Sequence, residues 1–170
     1  EIQCGLGRTG TLFAYEQTGI EPDILTLAKP LAGGLPMGAV LMTEEIAAAI
    51  KPGDHGTTFG GGPFVASVAS YVVDRLSDPV LLEHVRETGE WFGAQLRDIA
   101  QRTGRIRGVR GVGFMWGLDV MGMASHVVSE ALAAGLLVCT AGDYTVRLLP
   151  PLVTTQDELA EGLAVLESVL

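Results

Sequence analysis

The glycines of this chain are unevenly placed, and their placement constrains its fold more than any other feature. Glycine accounts for 23 of the 170 residues, and much of it falls between Gly5 and Gly62. A backbone without Cβ is needed where a turn is tight or where the chain must approach a ligand closely, as at a bound phosphate. The segment up to Gly62 is therefore read as short apolar strands alternating with glycine-rich turns. Residues 24–27 are an apolar run that follows Pro22 and Asp23 and stops at Lys29 and Pro30. Residues 37–42 are a second run, entered through Gly33, Gly34, Leu35 and Pro36 and left at Thr43. Both predict short buried strands. Thr43 before Glu44 and Glu45 predicts a capped helix over 46–50, ended by Lys51, Pro52 and Gly53.

From Pro63 the character changes. Residues 64–76 are apolar with small side chains and predict a buried helix. Asp78 and Pro79 then open a longer one, with Asp as cap and Pro in the first helical position. In it Leu81, Val85, Phe92, Leu96 and Ile99 recur mostly at three- and four-residue steps, so they share a face, and Gly104 ends it. Residues 114–120, 136–140 and 145–149 are strand candidates, with a helix between the first two holding Val127, Val128, Ala131 and Leu132. Thr155 and Glu158 form a capping box for a last helix whose apolar face is Leu159, Leu163 and Leu166. The pattern is α/β, two pieces joined by a long helix, with residues 1–62 in the first piece and 63–170 comprising the linking helix and the second.

Charge and cysteine usage narrow the partners. Eleven basic residues against twenty acidic ones leave a net charge of −9, which repels nucleic acid and anionic membranes. No segment approaches the roughly 18 consecutive apolar residues of a membrane helix. Cys4 and Cys139 lie far apart and make no metal-ligand spacing, so they read as reduced thiols of a cytosolic or organelle-matrix protein. His84 and His126 have no cluster of ligands around them, and no metal site is expected.

Four features remain as candidates for chemistry. Lys29 stands at the mouth of an apolar run, where a charge is costly to bury, so its amine either reaches water or reacts as a nucleophile. The turn from Gly5 to Gly10 fits the spacing of a dinucleotide fingerprint. It lacks the full strand before and the long helix after that such a site needs, and a turn requiring glycine is the better reading. Thr57 and Thr58 lie in a glycine-rich segment from His55 to Pro63, immediately before a helix. That makes either an anion seat of hydroxyls and backbone N–H groups or a loop with a capping threonine. Arg147, among apolar neighbours on a strand, calls for a carboxylate, either a structural aspartate or a substrate acid held bidentately.

Taken in order, these segments resemble the class III aminotransferases, fold-type-I enzymes that use pyridoxal 5'-phosphate. The residues that carry the likeness are E-I-Q-C-G-L-G-R-T-G from Glu1, P-D-I-L-T-L-A-K-P-L-A-G-G-L-P-M-G-A-V from Pro22, H-G-T-T-F-G-G-G-P from His55 and V-R-L-L-P-P-L-V from Val146. The resemblance implies that residues 1–62 end a large, mainly parallel-sheet cofactor domain and that 63–170 are the linking helix and a small C-terminal α/β domain. It implies Lys29 as the catalytic residue that bonds to the cofactor and, once released by substrate, moves the proton. Gln3, facing the cofactor's phenolic oxygen, and Glu1 beside it are implied as cofactor-binding residues. Thr58 would bind the cofactor phosphate of a neighbouring subunit in a homodimer, Thr57 would lie near the substrate, and Arg147 would grip the carboxylate of 2-oxoglutarate or glutamate. Within the family the likeness is greatest to members that transaminate N-acetylornithine with 2-oxoglutarate in arginine synthesis. Ornithine, succinylornithine and other ω-amino acids are alternative donors.

Two positions depart from the family pattern: Cys4 stands where threonine or serine is usual, and Gly62 where asparagine or serine is. The family's aspartate, partner of the pyridine nitrogen, would sit immediately before Glu1. The expectation is thus of a C-terminal fragment, inactive alone, with pairing to a full-length subunit as the reading from another class.

Overall fold

The computed structural model describes every residue from Glu1 to Leu170. The chain divides into two compact units, Glu1–Leu82 and Glu83–Leu170.

In the first unit the two expected strands form, as β1 (Ile24–Leu27) and β2 (Ala39–Met42). They pair antiparallel, with Ile24 opposite Met42 and Leu27 opposite Ala39. They are less buried than the sequence predicts. Leu27 is enclosed, but Ile24, Val40 and Leu41 are exposed, because the two-stranded sheet is covered on one side only by its own unit. Thr43 caps the short helix α1 (Glu44–Ala47), its hydroxyl accepting the Ile46 N–H at 3.5 Å.

Helix α2 (Pro63–Leu76) follows. The sequence predicts it buried, and the structure corrects this: Phe64 is 73% and Tyr71 67% exposed. Only one stripe, Val65, Ala69, Val73 and Leu76, packs into the unit's core with Leu6, Leu27, Leu31 and Ala32. A sequence apolar on most sides does not say which sides find a partner. The composition change at Pro63 therefore does not coincide with the division between compact units, since α2 shares the first core.

Helix α3 (Pro79–Thr103) begins as expected, with Asp78 Oδ1 accepting the Val80 N–H at 2.9 Å, and ends at Gly104, whose φ of +63° suits glycine. Val85, Phe92, Leu96 and Ile99 are buried on one face. They pack against a four-stranded antiparallel sheet in the order β3–β4–β6–β5. Its strands are β3 (Ile106–Val112), β4 (Met115–Val120), β5 (Cys139–Thr140) and β6 (Thr145–Leu148). Helix α4 (Ala124–Ala133) buries Ala124, Val127 and Ala131, leaving Leu132 exposed. Helix α5 (Gln156–Ser168) starts on the expected capping box, Glu158 N–H to Thr155 Oγ1 and Thr155 N–H to Glu158 Oε2. Leu159, Leu163 and Leu166 close the core.

Strand β3 is not among the sequence-predicted elements, and the strand expected over 136–140 shrinks to two residues. Gly108 and Gly111 lower the strand signal of β3, yet Gly113 and Phe114 link it to β4 as a two-residue hairpin loop. A register shift between Ile106 and Gly108 leaves Arg107 as the extra residue of a bulge. Arg107 donates to the Val120 carbonyl at 3.0 Å and lies 5.6 Å from the Tyr144 ring centroid.

Candidate functional site

Lys29 stands two residues after the end of β1, and its backbone is the notable feature there. Its φ is +52°, in the left-handed region. That region costs an L-residue roughly 1–2 kcal/mol, and such strain persists only where the surroundings enforce it. The enforcement comes from both sides: Leu27 before it and Leu31 and Ala32 after it are buried. Lys29, Pro30, Leu31 and Ala32 form a 3-10 turn ended by Gly33, whose φ is +62°. The side chain of Lys29 is exposed, so the buried frame holds its backbone while the amine is accessible.

The N-terminal segment packs into the same core through Leu6, also left-handed at φ +57° and 2% exposed. Gly7 (φ +89°) donates to the Leu12 carbonyl at 3.2 Å, and Gly10 (φ +91°) to the Gly7 carbonyl at 3.1 Å. The glycines between Gly5 and Gly10 thus make a turn, as the sequence reading has it. The Glu1 carboxylate accepts the N–H groups of Ala14 and Tyr15, each at 3.0 Å, and the Cys4 thiol lies 3.6 Å from it. Its oxygens therefore tie down the turn Ala14–Gln17. Burial, and next the Glu1 charge, push the Cys4 thiol pKa up. Gln3, two residues on, is half-buried.

Thr57 and Thr58 are exposed in the loop ahead of α2. The Thr57 hydroxyl accepts the Gly60 N–H at 3.0 Å, so it caps its own turn. Gly62, the N-cap of α2, offers no side-chain cap to the backbone N–H groups of the first helical turn. Beside them is an open recess lined by Met37, Gly38, Thr57, Gly61, Gly62 and Val65. One core thus brings together the segments that carry Gln3, Lys29 and the start of α2.

Arg147 belongs to the second unit, in the middle of β6 and half-buried. Its register partners are Gly117 on β4 and Cys139 on β5. Its Nη2 lies 3.7 Å from Cys139 Sγ. Beside it is a network the sequence reading missed. Asp119 is ion-paired with Arg110, and its Oδ1 accepts the Thr145 hydroxyl at 2.6 Å. Arg110 Nη2 in turn donates to Thr145 Oγ1 at 3.1 Å. The Arg110 hydrogen bond, then that of Thr145, hold the Asp119 carboxyl below its ordinary pKa. Recognising β3 would have revealed the network, because its register sets Arg110 beside β4.

His84 is half-buried, its Nε2 3.1 Å from the Thr154 carbonyl oxygen, a structural placement. No group of His, Cys, Asp and Glu is arranged to hold a metal ion, and no helix is long and apolar enough to cross a membrane.

The family model for class III aminotransferases matches residues 1–170. The mitochondrial acetylornithine aminotransferase of Alnus glutinosa is 49% identical over 167 residues, 98% of this chain and 37% of that protein. The acetylornithine aminotransferase of Neisseria meningitidis serogroup B is 45% identical, covering 100% of this chain and 44% of its own. The solved acetylornithine aminotransferase of Elizabethkingia anophelis superposes with a TM-score of 0.91 at 34% identity, over 99% of this chain and 44% of that one. The ornithine delta-aminotransferase of Plasmodium falciparum gives 0.93 at 31% identity, again over 99% and 44%. The chain spans less than half the length of these relatives. With this likeness across its whole length and the α/β fold of the fold-type-I transferases, the chain belongs to the class III aminotransferase family.

Proposed function

We propose that this chain carries the cofactor lysine and the acceptor-binding arginine of a pyridoxal-phosphate-dependent aminotransferase. The observation that carries the reading is Lys29: an accessible amine on a left-handed backbone locked between buried residues. A backbone fixed at such cost is expected where a reacting group must be aimed.

The residues present suit the cofactor. The uncapped start of α2, with Thr57 and Thr58 ahead of it and glycines around it, has the donors a phosphate takes. Lys29 supplies the amine that bonds to an aldehyde. When bound, pyridoxal phosphate draws electrons from the substrate carbon that bears the amine. Lys29 Nζ would hold and move the proton at that carbon. Gln3 and Glu1, on the N-terminal segment that packs into the same core as Lys29, would serve the cofactor ring. Glu1 does so as its support, since its carboxylate is engaged by Ala14 and Tyr15. Thr58 serves the phosphate of a partner subunit in a homodimer, with Thr57 near the substrate. Arg147 takes the carboxylate of 2-oxoglutarate.

N-acetylornithine as donor, and so a place in arginine synthesis, is favoured by the names of the relatives in plants and bacteria. Ornithine is the second candidate, on the superposition with the Plasmodium falciparum enzyme. Residues 1–170 alone are not expected to transaminate, because more than half of each relative lies outside the matched region. The test is the visible absorption of the full-length protein purified with pyridoxal phosphate, beside Lys29→Ala. A band that disappears in the variant supports the assignment. A band indifferent to Lys29 refutes it and favours a non-catalytic pairing role.

A further inference from the structure

Arg147 lies in a row of register partners that crosses the sheet: Arg110 on β3, Gly117 on β4, Arg147 on β6 and Cys139 on β5. Trp116, Leu118, Val146 and Leu148 alternate with the row and enter the core, so the row stands on the opposite face. The two strands that flank Arg147 offer it different company. On β4 its partner is Gly117, which has no side chain. The space over Gly117 is entered by Arg110, whose Cγ and Nε lie 3.9 Å from where a Cβ would stand. Arg110 is held there by its ion pair with Asp119 and by donating to Thr145 Oγ1 at 3.1 Å. Asp119 in turn accepts the Thr145 hydroxyl, which closes a triangle across three strands. A second guanidinium on that side is disfavoured by like charge.

On β5 the partner is Cys139, half-buried and in contact with Arg147 twice. Its thiol donates to the Arg147 carbonyl at 3.7 Å, and Arg147 Nη2 donates to Sγ, also at 3.7 Å. One sulfur thus bridges the backbone and the guanidinium of the same residue and draws the arginine toward β5. Sulfur is a weak donor and a weak acceptor, so each contact is modest. What the pair of contacts supplies is direction. An arginine side chain has many rotamers, and the freedom it gives up before the substrate arrives is not lost again on binding.

We propose that Cys139 is a positioning residue that holds the Arg147 guanidinium on the β5 side, oriented for the substrate carboxylate. The proposal rests on the reading of Arg147 given above. It makes position 139 the place where a side chain acting through Arg147 tunes acceptor affinity. A thiol or a hydroxyl supports the arginine, an aliphatic side chain leaves it loose, and a carboxylate occupies it.

The experiment uses the full-length enzyme with its cofactor and measures kcat and KM for 2-oxoglutarate. Cys139→Val, close in size but unable to hydrogen-bond, is expected to raise KM about fivefold, the size of one neutral hydrogen bond, with kcat little changed. Cys139→Ser keeps a donor and an acceptor and stays close to the parent. Cys139→Asp and Cys139→Asn have nearly the same shape and differ in charge. Beside Arg147 the aspartate competes with the substrate as a tethered carboxylate, and its KM is expected to exceed that of the asparagine variant at least about tenfold. Equal KM values in these two would show that position 139 does not face the guanidinium, and would overturn the proposal. A Cys139→Val enzyme with the parent's KM, or an impairment that serine does not restore, overturns it as well, since the thiol then contributes packing alone. The valine and serine variants are conservative changes on an edge strand and keep the test if the aspartate variant does not fold. Arg147→Met separates the two claims. If it leaves KM for 2-oxoglutarate unchanged, the assignment of Arg147 itself fails. If it raises KM while all four Cys139 variants match the parent, that assignment stands and the positioning role falls.

Discussion

Replacing Gly93 by alanine tests how α3 is seated on the sheet. A Cβ at this buried position would stand 2.2 Å from Trp116 Cη2 and 2.4 Å from Cζ2. Two effects oppose each other. Alanine favours a helix interior over glycine by about 1 kcal/mol. Against that, the methyl must displace an indole that is pinned. Trp116 is 5% exposed, its Nε1 donates to the Gly113 carbonyl at 2.7 Å, and the Arg97 guanidinium lies 5.7 Å from its ring centroid. Gly113 cannot follow the ring, because one turn earlier a Cβ at Gly89 would already come within 2.5 Å of the Gly113 oxygen. Overpacking costs about 1–3 kcal/mol, and leaving the buried indole N–H unpaired costs about as much again. The net loss is on the order of 3 kcal/mol. Gly162→Ala in α5 is the control. Its Cβ would meet Leu136 Cδ1 at 3.5 Å, an ordinary contact, so only the helix-propensity gain of about 0.5–1 kcal/mol remains. The assay is urea unfolding followed by tryptophan fluorescence, since the chain's two tryptophans, Trp91 and Trp116, both lie in the second unit. The midpoints should move in opposite directions. A Gly93→Ala protein as stable as its parent would refute the close approach of α3 to Trp116.

The other predictions concern Lys29 and the start of α5. Lys29→Gly should be more stable than Lys29→Ala by about 1 kcal/mol, because glycine adopts the positive φ without penalty. Both variants should lose the absorption band, and equal melting temperatures would show that the backbone is not strained. Thr155→Ala should cost about 1 kcal/mol by uncapping α5, read as a lower urea midpoint. The backbone N–H of Thr155, then its hydroxyl, lower the Glu158 pKa, so the stabilisation by Glu158 is complete above its ordinary value of 4.5. It is lost as pH falls through the lowered value. Glu158→Gln should therefore be less stable than the parent near neutrality and indistinguishable from it in strong acid. A difference that persists in acid would contradict the assigned cause.

Much of the fold was legible because it rests on local chemistry. Thr43, Asp78 and Thr155 announce their helices by capping, which depends on a few neighbouring residues and needs no distant partner. The buried face of α3 follows from spacing alone. β3 was missed because Gly108 and Gly111 weaken its pattern, and its pairing with β4 is what makes it a strand. The exposure of α2 was misjudged because hydrophobicity records what a helix can bury, and contact alone decides what it does bury. For the site, Lys29, Thr57, Thr58 and Arg147 stood out through unusual residues in simple surroundings. Glu1 did not show its structural work, since Ala14 and Tyr15 are its partners only after the turn closes. The triangle of Arg110, Asp119 and Thr145 was invisible for the same reason.

The sequence by itself determined the α/β class, most element positions, the net charge and the motifs that mark the family, because each follows from residues near one another in the chain. Tertiary structure alone decided the strained backbone at Lys29, the single packed stripe of α2, the seating of α3 on Trp116 and the partners of Asp119. These depend on register and close approach between segments far apart in sequence. A shift of one residue in either would turn the same side chains to the opposite face.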